Sequence, residues 1–258
     1  MTKRHNRMLV LTVLFFSLLL IVVMARFAHA GLPMADRVAV EAGVRAEVMK
    51  DLAMPYKPGE GLSDRSCLDG RPVKDFQGDL VEYWANLECP YCGIQEPAQA
   101  QRNNAGMCIV VRHVPSREYG ESLKKALSYE ALKKFSVNGA NLFWDKVVPK
   151  NSLAMPVPYE ASLLSAFQEA AIPPEAFAEA LSKDAAAIVN QDVAAAQSRI
   201  TSTPTYVLAG IRFGSCDFTA AELSIALELA KKARQGDQEA IERIIKIITN
   251  GQMNEQKV

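Results

Sequence analysis

Residues 80–87 read as a buried strand rich in Leu, Val, Tyr and Trp, and Cys89-Pro90-Tyr91-Cys92 follows almost at once. Residues 89–103 carry a helical pattern closed by Asn104-Ala105-Gly106. Residues 107–114 (MCIVVRHV) read as a second strand, ended by Pro115. A strand, a helix and a strand within about 35 residues form a βαβ crossover, with the strands parallel. No other feature constrains the fold as much, and it places the chain in the α/β class. Both strands finish at one sheet edge, so the residues after the first strand are expected near His113 and Val114.

The rest of the chain builds around this unit. Residues 34–53 have helical character, with Val40, Val44, Val48 and Leu52 recurring every four positions. Residues 54–78 are rich in Pro and Gly and read as loop, short strand and hinge. Residues 116–199 are dominated by helical patterns, among them a stripe of Leu123, Leu127, Ala131 and Phe135 and a segment opened by Pro173-Pro174. Residues 205–209 and 211–214 read as a hairpin turning at Ala209-Gly210. Thr219-Ala220-Ala221-Glu222 is a capping box that starts a long helix, expected to break at Gln235-Gly236-Asp237.

The amino terminus speaks to location. Lys3, Arg4 and Arg7 precede an apolar run from Met8 to Met24, and Ala28-His29-Ala30 follows. This is the pattern of a secretory signal peptide over residues 1–30, cleaved before Gly31. An uncleaved membrane anchor is the rival, and both place the remainder outside the cytoplasm. Residues 31–78 then form an extension, and residues 79–258 the main domain. The 258-residue chain has 29 basic and 29 acidic residues, which argues against a nucleic-acid partner. Five cysteines are too few for a disulfide-stapled scaffold.

The chemistry sits at Cys89-Pro90-Tyr91-Cys92. A cysteine at a helix amino terminus meets free N–H groups and the positive end of the dipole, which favour its thiolate. The two-residue spacing lets the second sulfur release a mixed disulfide. Cys89 is the expected nucleophile and Cys92 the resolving thiol; Pro90 suits the first helical turn. No histidine lies between them, so a mild oxidant is expected. The competing readings are a structural disulfide or half of a zinc site. A zinc site would want two more ligands, and no second C-x-x-C or histidine pair exists. No metal or other cofactor is expected.

Val81-Glu82-Tyr83-Trp84-Ala85 before the C-x-x-C, together with Thr203-Pro204-Thr205 at the mouth of a later strand, resembles the thioredoxin superfamily. The helical stretch 116–199 between the two halves is similar to the periplasmic Dsb-type oxidoreductases. The C-P-Y-C with Thr before proline is most like their isomerase branch, of the DsbC and DsbG kind, while the insertion is shared with the oxidase branch, of the DsbA kind. The resemblance implies a thioredoxin fold with an inserted helical subdomain and an N-terminal helical extension. It implies that Pro204 is cis, faces the dithiol and blocks metal capture. It implies that Thr203 offers backbone groups to an extended substrate by β-addition, with Pro90 and Tyr91 also at the substrate surface. It implies a buried acid under the dithiol, for which Glu82 is the candidate, to relay the proton of Cys92. Glu82 stands one position further from Cys89 than the family pattern places it, and a one-residue slip turns a strand side chain to the other face.

The resemblance further implies a periplasmic disulfide isomerase or reductase. Its partners would be unfolded or wrongly disulfide-bonded secreted proteins and a membrane redox partner, and it would work as a homodimer. A monomeric dithiol oxidase is the alternative, and a holdase, assembly factor or soft-metal carrier a third. The helix in residues 31–78 is expected either to pack on its own domain or to exchange with a second protomer. Glu88 either opposes the Cys89 thiolate or points to solvent, and His113 is read as a satisfied histidine before a tuning one. Cys108 is expected as a buried thiol and Cys67 with Cys216 as a possible pair; an odd cysteine total leaves one unpaired.

Overall fold

The computed structural model describes residues 34–116, 121–149, 157–197 and 199–250. The signal-peptide expectation, on residues 1–30, lies outside the described residues. Among the described residues no helix is long and apolar enough to cross a membrane. The chain divides into two units, Met1–Gly43 and Val44–Val258. The first contributes the opening half of helix α1 (Met34–Ala53), where Val38 and Val40 are exposed.

The second unit is built on a four-stranded sheet. β1 (Asp79–Ala85) and β2 (Met107–His113) are joined by α2 (Gln95–Asn103) and run parallel, Asp79 opposite Met107 and Ala85 opposite His113. β3 (Thr205–Leu208) is antiparallel to β1, and β4 (Ile211–Gly214) to β3, giving the order β2-β1-β3-β4. The hairpin turns at Ala209-Gly210 with φ of 47° and 81°, the doubly positive turn that matches strand twist. Only glycine fits at 210, since a Cβ there would run into the Tyr56 ring and the Arg234 side chain. Helix α8 (Ala220–Arg234) opens on the capping box, with Thr219 and Glu222 bonded reciprocally, and α9 (Gln238–Asn250) follows the break at Gly236.

The helical insertion comprises α3 (Ser122–Lys133), α4 (Val137–Val147), α5 (Tyr159–Ala170), α6 (Pro174–Ala180) and, through a π-helical turn, α7 (Ala186–Ala196). The Leu123–Phe135 stripe is the buried face only in its middle: Ala131 is buried and Leu127 packs against the core, while Leu123 and Phe135, the latter beyond the end of α3, are exposed, and Ala126, Tyr129 and Leu132 complete the buried face. A four-residue step overshoots a helical turn, so such a row winds off one face. The same drift leaves Val40 exposed and Val48 in the core.

Both faces of the sheet are covered. Val81, Tyr83 and Ala85 join the main core with Ile109, Val111 and residues of the insertion. On the other face Leu80, Cys108 and Val110 pack against Leu62, Cys67 and Val73 of the segment read as a hinge. That segment is tied down instead. Leu68 N–H donates to Ile109 O at 2.8 Å, Arg71 donates to the carbonyls of Ala105 and Met107, and Cys67 is disulfide-bonded to Cys108. The expectations of a Cys108 thiol and a Cys67–Cys216 pair are both overturned. The extension runs beside the start of β2, bringing the two Cα atoms to 5.2 Å, while Cys216 remains a buried free thiol. Closing a loop across 41 residues removes denatured-state entropy of about 4 kcal/mol in the chain-entropy model. The double variant Cys67→Ala/Cys108→Ala is expected to lose about 2–4 kcal/mol in urea unfolding; an unchanged midpoint would show that the bond does not stabilise the fold.

The second half of α1 docks on its own domain. Arg234 donates to the carbonyls of Asp51, Leu52 and Met54, satisfying groups a helix end leaves open. Asp51 accepts from the Arg212 N–H and guanidinium, and Val48 is buried.

Candidate active site

β1 ends at Ala85, and residues 86–94 form a loop that carries both thiols before α2 begins. Cys89 N–H donates to Asn86 O and Cys92 N–H to Cys89 O, each at 3.0 Å, which folds the C-x-x-C into a turn. The helix does not open at Cys89 as the spacing suggests; it opens at Gln95. Pro97 supplies the reason. It has no N–H to give the Gly93 carbonyl, so a helix running back through Cys89 would lack that bond. Beginning at Gln95 puts Pro97 in the first turn, where an N–H has no helical partner to lose. The carbonyls left over are taken by side chains: Tyr83 Oη donates to Gly93 O and Trp144 Nε1 to Cys92 O, both at 2.9 Å.

The dipole acts within the first turn of a helix, so it contributes little at Cys89. Local donors do the work. The Cys92 thiol is the largest cause holding Cys89 down to about 6, against partial burial that pushes it up; the Tyr91 N–H adds to the lowering. Cys89 is half-buried, and its Sγ donates to Thr203 O at 3.3 Å. Cys92 is fully buried and its thiol is pushed far up by burial, then by Cys89; Asn86 N–H lies 3.5 Å from its sulfur. One sulfur is therefore an accessible thiolate near neutral pH and the other a protected thiol.

The Thr203–Pro204 bond is cis, and the Thr203 carbonyl faces Cys89 from the mouth of β3. Pro204, Thr203 and the dithiol thus come together as expected from sequence. Tyr91 is 65% exposed and Pro90 half-buried beside it.

Glu82 does not sit under the dithiol. Its strand parity turns it to the face opposite Tyr83 and Cys92, where it accepts from Arg112 Nη1 at 2.9 Å and burial raises its carboxyl pKa. The position nearer the dithiol belongs to Tyr83, stacked on Tyr206 at 4.8 Å. Burial, then Tyr206 and the two cysteines, push its hydroxyl well above the ordinary range. Counting back from Cys89 carried this signal. Glu88 neither opposes the thiolate unscreened nor points freely to solvent, because Lys125 Nζ donates to it at 3.0 Å. Its backbone N–H donates to Asn86 Oδ1, which also accepts from Ser122 Oγ. His113 is buried on the Cys92 face with Nε2 2.9 Å from Glu130 Oε1. Burial pushes the Glu130 carboxyl up, but Lys133 and His113 outweigh it and hold it at about 2.

Sequence reading missed Asp192, in an Ala-rich helix. It is fully buried and accepts from Arg65 Nη2, Arg112 Nε and His113 N–H at 2.5, 2.5 and 2.9 Å. It fastens α7, the extension and the end of β2 together on the Glu82 face. Among the described residues no three His, Cys, Asp or Glu side chains are placed to hold a metal ion.

No protein-family model matches the chain, and no curated protein sequence matches it. Solved structures do. The crystal structure of Proteus mirabilis ScsC in a transitional conformation is 14% identical, covering 90% of this chain and 100% of that one, with a TM-score of 0.52. The thiol-disulfide exchange protein alpha-DsbA2 from Wolbachia pipientis is 15% identical over 78% of this chain and 99% of its own, TM-score 0.46. A thioredoxin-like oxidoreductase from Silicibacter pomeroyi DSS-3 is 19% identical over 60% and 87%, TM-score 0.48. With the β2-β1-β3-β4 order, the first of these likenesses shows the fold: α/β, thioredoxin-like, with an inserted helical subdomain and an N-terminal helical extension.

Proposed function

We propose that this chain is a thiol–disulfide oxidoreductase that exchanges disulfides with secreted proteins through Cys89 and Cys92. The observation that carries this reading is the half-exposed Cys89, its thiol held at about 6, set against buried Cys92 and the Thr203 carbonyl. The Cys89 thiolate attacks one sulfur of a substrate disulfide and expels the other as a thiolate, forming a mixed disulfide. Cys92 then gives up its proton and attacks Cys89 Sγ. The Cys89–Cys92 bond forms, the second substrate thiol leaves, and two electrons have passed to the substrate. Run in reverse, the same steps oxidise a dithiol. An extended substrate lies along the Thr203–Pro204 edge beside Pro90 and Tyr91, paired by β-addition.

The working direction is isomerase or reductase, in the periplasm, on misfolded or wrongly disulfide-bonded proteins. A membrane redox partner resets the dithiol, and two chains act as a homodimer. A nucleophile at about 6 falls between the value near 7 of a reducing dithiol and the value near 3.5 of a strong oxidase. Exposed Val38 and Val40 in the first half of α1 support the dimer. The test is the reduction potential of Cys89–Cys92 in glutathione buffers, with mass read on the same sample. A dimer at roughly −180 mV or lower supports the reading. A monomer at roughly −120 mV makes the protein an oxidase and overturns it.

A further inference from the structure

Asn86, the first residue after β1, meets both thiols through its backbone. Its carbonyl accepts from Cys89 N–H at 3.0 Å, and its own N–H lies 3.5 Å from Cys92 Sγ. Burial, then Cys89, push the Cys92 thiol up; among the groups that bring it down, the Asn86 N–H is the largest. The chain leaves the strand here, so the aim of that N–H depends on what holds the loop. The Asn86 side chain supplies the hold. Its Oδ1 accepts from Glu88 N–H at 2.9 Å and from Ser122 Oγ at 2.7 Å. Ser122 is the first residue of α3, and its Oγ accepts from Ser116 N–H at 3.2 Å, which turns its own proton to Asn86. One helical turn on, Lys125 Nζ holds the Glu88 carboxylate at 3.0 Å. One face of the helical insertion thus grips the dithiol loop at two points. Asn86, Ser122 and Lys125 are all buried, so removing one partner leaves the other unsatisfied away from water.

The need for such a donor arises in the second half of exchange. Cys92 must lose its proton to solvent from a site that disfavours its charge. It then attacks Cys89 Sγ, the bond between Cys89 and the substrate sulfur breaks, and the substrate leaves as a thiolate. An N–H already aimed at the sulfur needs no reorganisation when the charge develops. We infer that the Asn86 N–H stabilises the Cys92 thiolate of this resolving step, and that Ser122 is the positioning residue that keeps it aimed. The inference rests on the exchange reading above and gives the helical insertion a part in the second step, while attack stays with Cys89.

The experiment mixes the reduced full chain with a symmetrical aromatic disulfide at about pH 8, above the Cys89 value of about 6. Attack by Cys89 releases one coloured thiolate at a rate proportional to the disulfide concentration. Resolution by Cys92 releases the second at a rate independent of it. That first-order rate does not depend on how much of a variant is folded, and Cys89→Ser is the blank. The wild type is expected to release both. Ser122→Ala and Asn86→Ala should each slow the second release about tenfold, the worth of one lost hydrogen bond, and the first by less than about twofold. The double variant should be no slower than Asn86→Ala alone, since Ser122 acts through Asn86. A second release unchanged in both single variants overturns the inference and leaves the exchange reading standing. Equal slowing of both releases, the mark of a loosened loop, also overturns it, as does an additive double variant. If the wild type releases a single thiolate, the exchange reading itself fails and the inference falls with it.

Discussion

Cys89→Ser is expected to lower disulfide exchange by about a thousandfold or more, because it removes the attacking atom and no neighbouring group replaces it. Cys92→Ser should behave differently. Attack by Cys89 persists, but mixed disulfides accumulate because the sulfur that resolves them is gone. Cys89→Ser also supplies the blank for the Cys89 titration, whereas Cys92→Ser removes the thiol that is the largest cause holding Cys89 down. In the wild-type reduced protein, alkylation of Cys89 should rise through a midpoint near 6, against the 9.0 of an unperturbed thiol, while Cys92 stays protected by burial. The folded value is depressed, so this group stabilises the reduced fold fully above about 9, and that contribution is lost as pH falls through about 6. The disulfide form has no thiol and lacks the contribution. The reduced protein should therefore gain stability relative to the oxidised one as pH rises from 6 to 9. Above that window the raised Cys92 value acts in the opposite sense, since the unfolded thiol ionises and the folded one does not. Iodoacetamide kinetics over pH 5 to 9 read the midpoint directly. A midpoint above 8 would remove the thiolate argument and return the dithiol to a structural role.

Asp192→Asn is expected to cost about 3–5 kcal/mol of stability. The carboxylate stands between two guanidiniums, Arg65 with its side chain fully buried and Arg112 with 7% exposed. Replacing it with an amide leaves Arg112 with Glu82 and Arg65, among the described residues, with only the largely exposed Asp64, 3.9 Å away. Breaking one member of a buried ionic group leaves uncompensated charge in a low-dielectric site, unlike losing a surface pair. The Lys183–Glu179 pair, 70% and 66% exposed, is the control: Lys183→Ala should change stability by less than about 0.5 kcal/mol. Urea midpoints, with the Cys67–Cys108 bond intact, compare the two. Equal effects would mean that the Asp192 cluster is screened like a surface pair.

The active-site motifs were readable because they are local. Hydrophobic runs bounded by Pro115 and by Asn104-Ala105-Gly106 marked the βαβ unit. Ala209-Gly210 fixed a hairpin, and Thr219 with Glu222 fixed a helix start. Cys89, Cys92, Thr203 and Pro204 meet in space because parallel β1 and antiparallel β3 bring their active-site ends to one edge. The start of α2 was not read correctly: the helical pattern over residues 89–103 pointed to Cys89, and Pro97 moves the start to Gln95.

What sequence alone determined is thus the class of fold and the meeting of Cys89, Cys92, Thr203 and Pro204, the place proposed for the chemistry, since both follow from short-range periodicity, turn residues and spacing. What tertiary structure decided depends on chain path and side-chain parity. A single pleat put Tyr83 rather than Glu82 beside the dithiol. The route of residues 54–78 past β2 chose Cys108 for Cys67, across 41 positions that no local rule spans. Burial of one aspartate in a helix of alanines made it the junction of two arginines and a strand end, because a charge removed from water takes its partners from whichever elements packing brings to it.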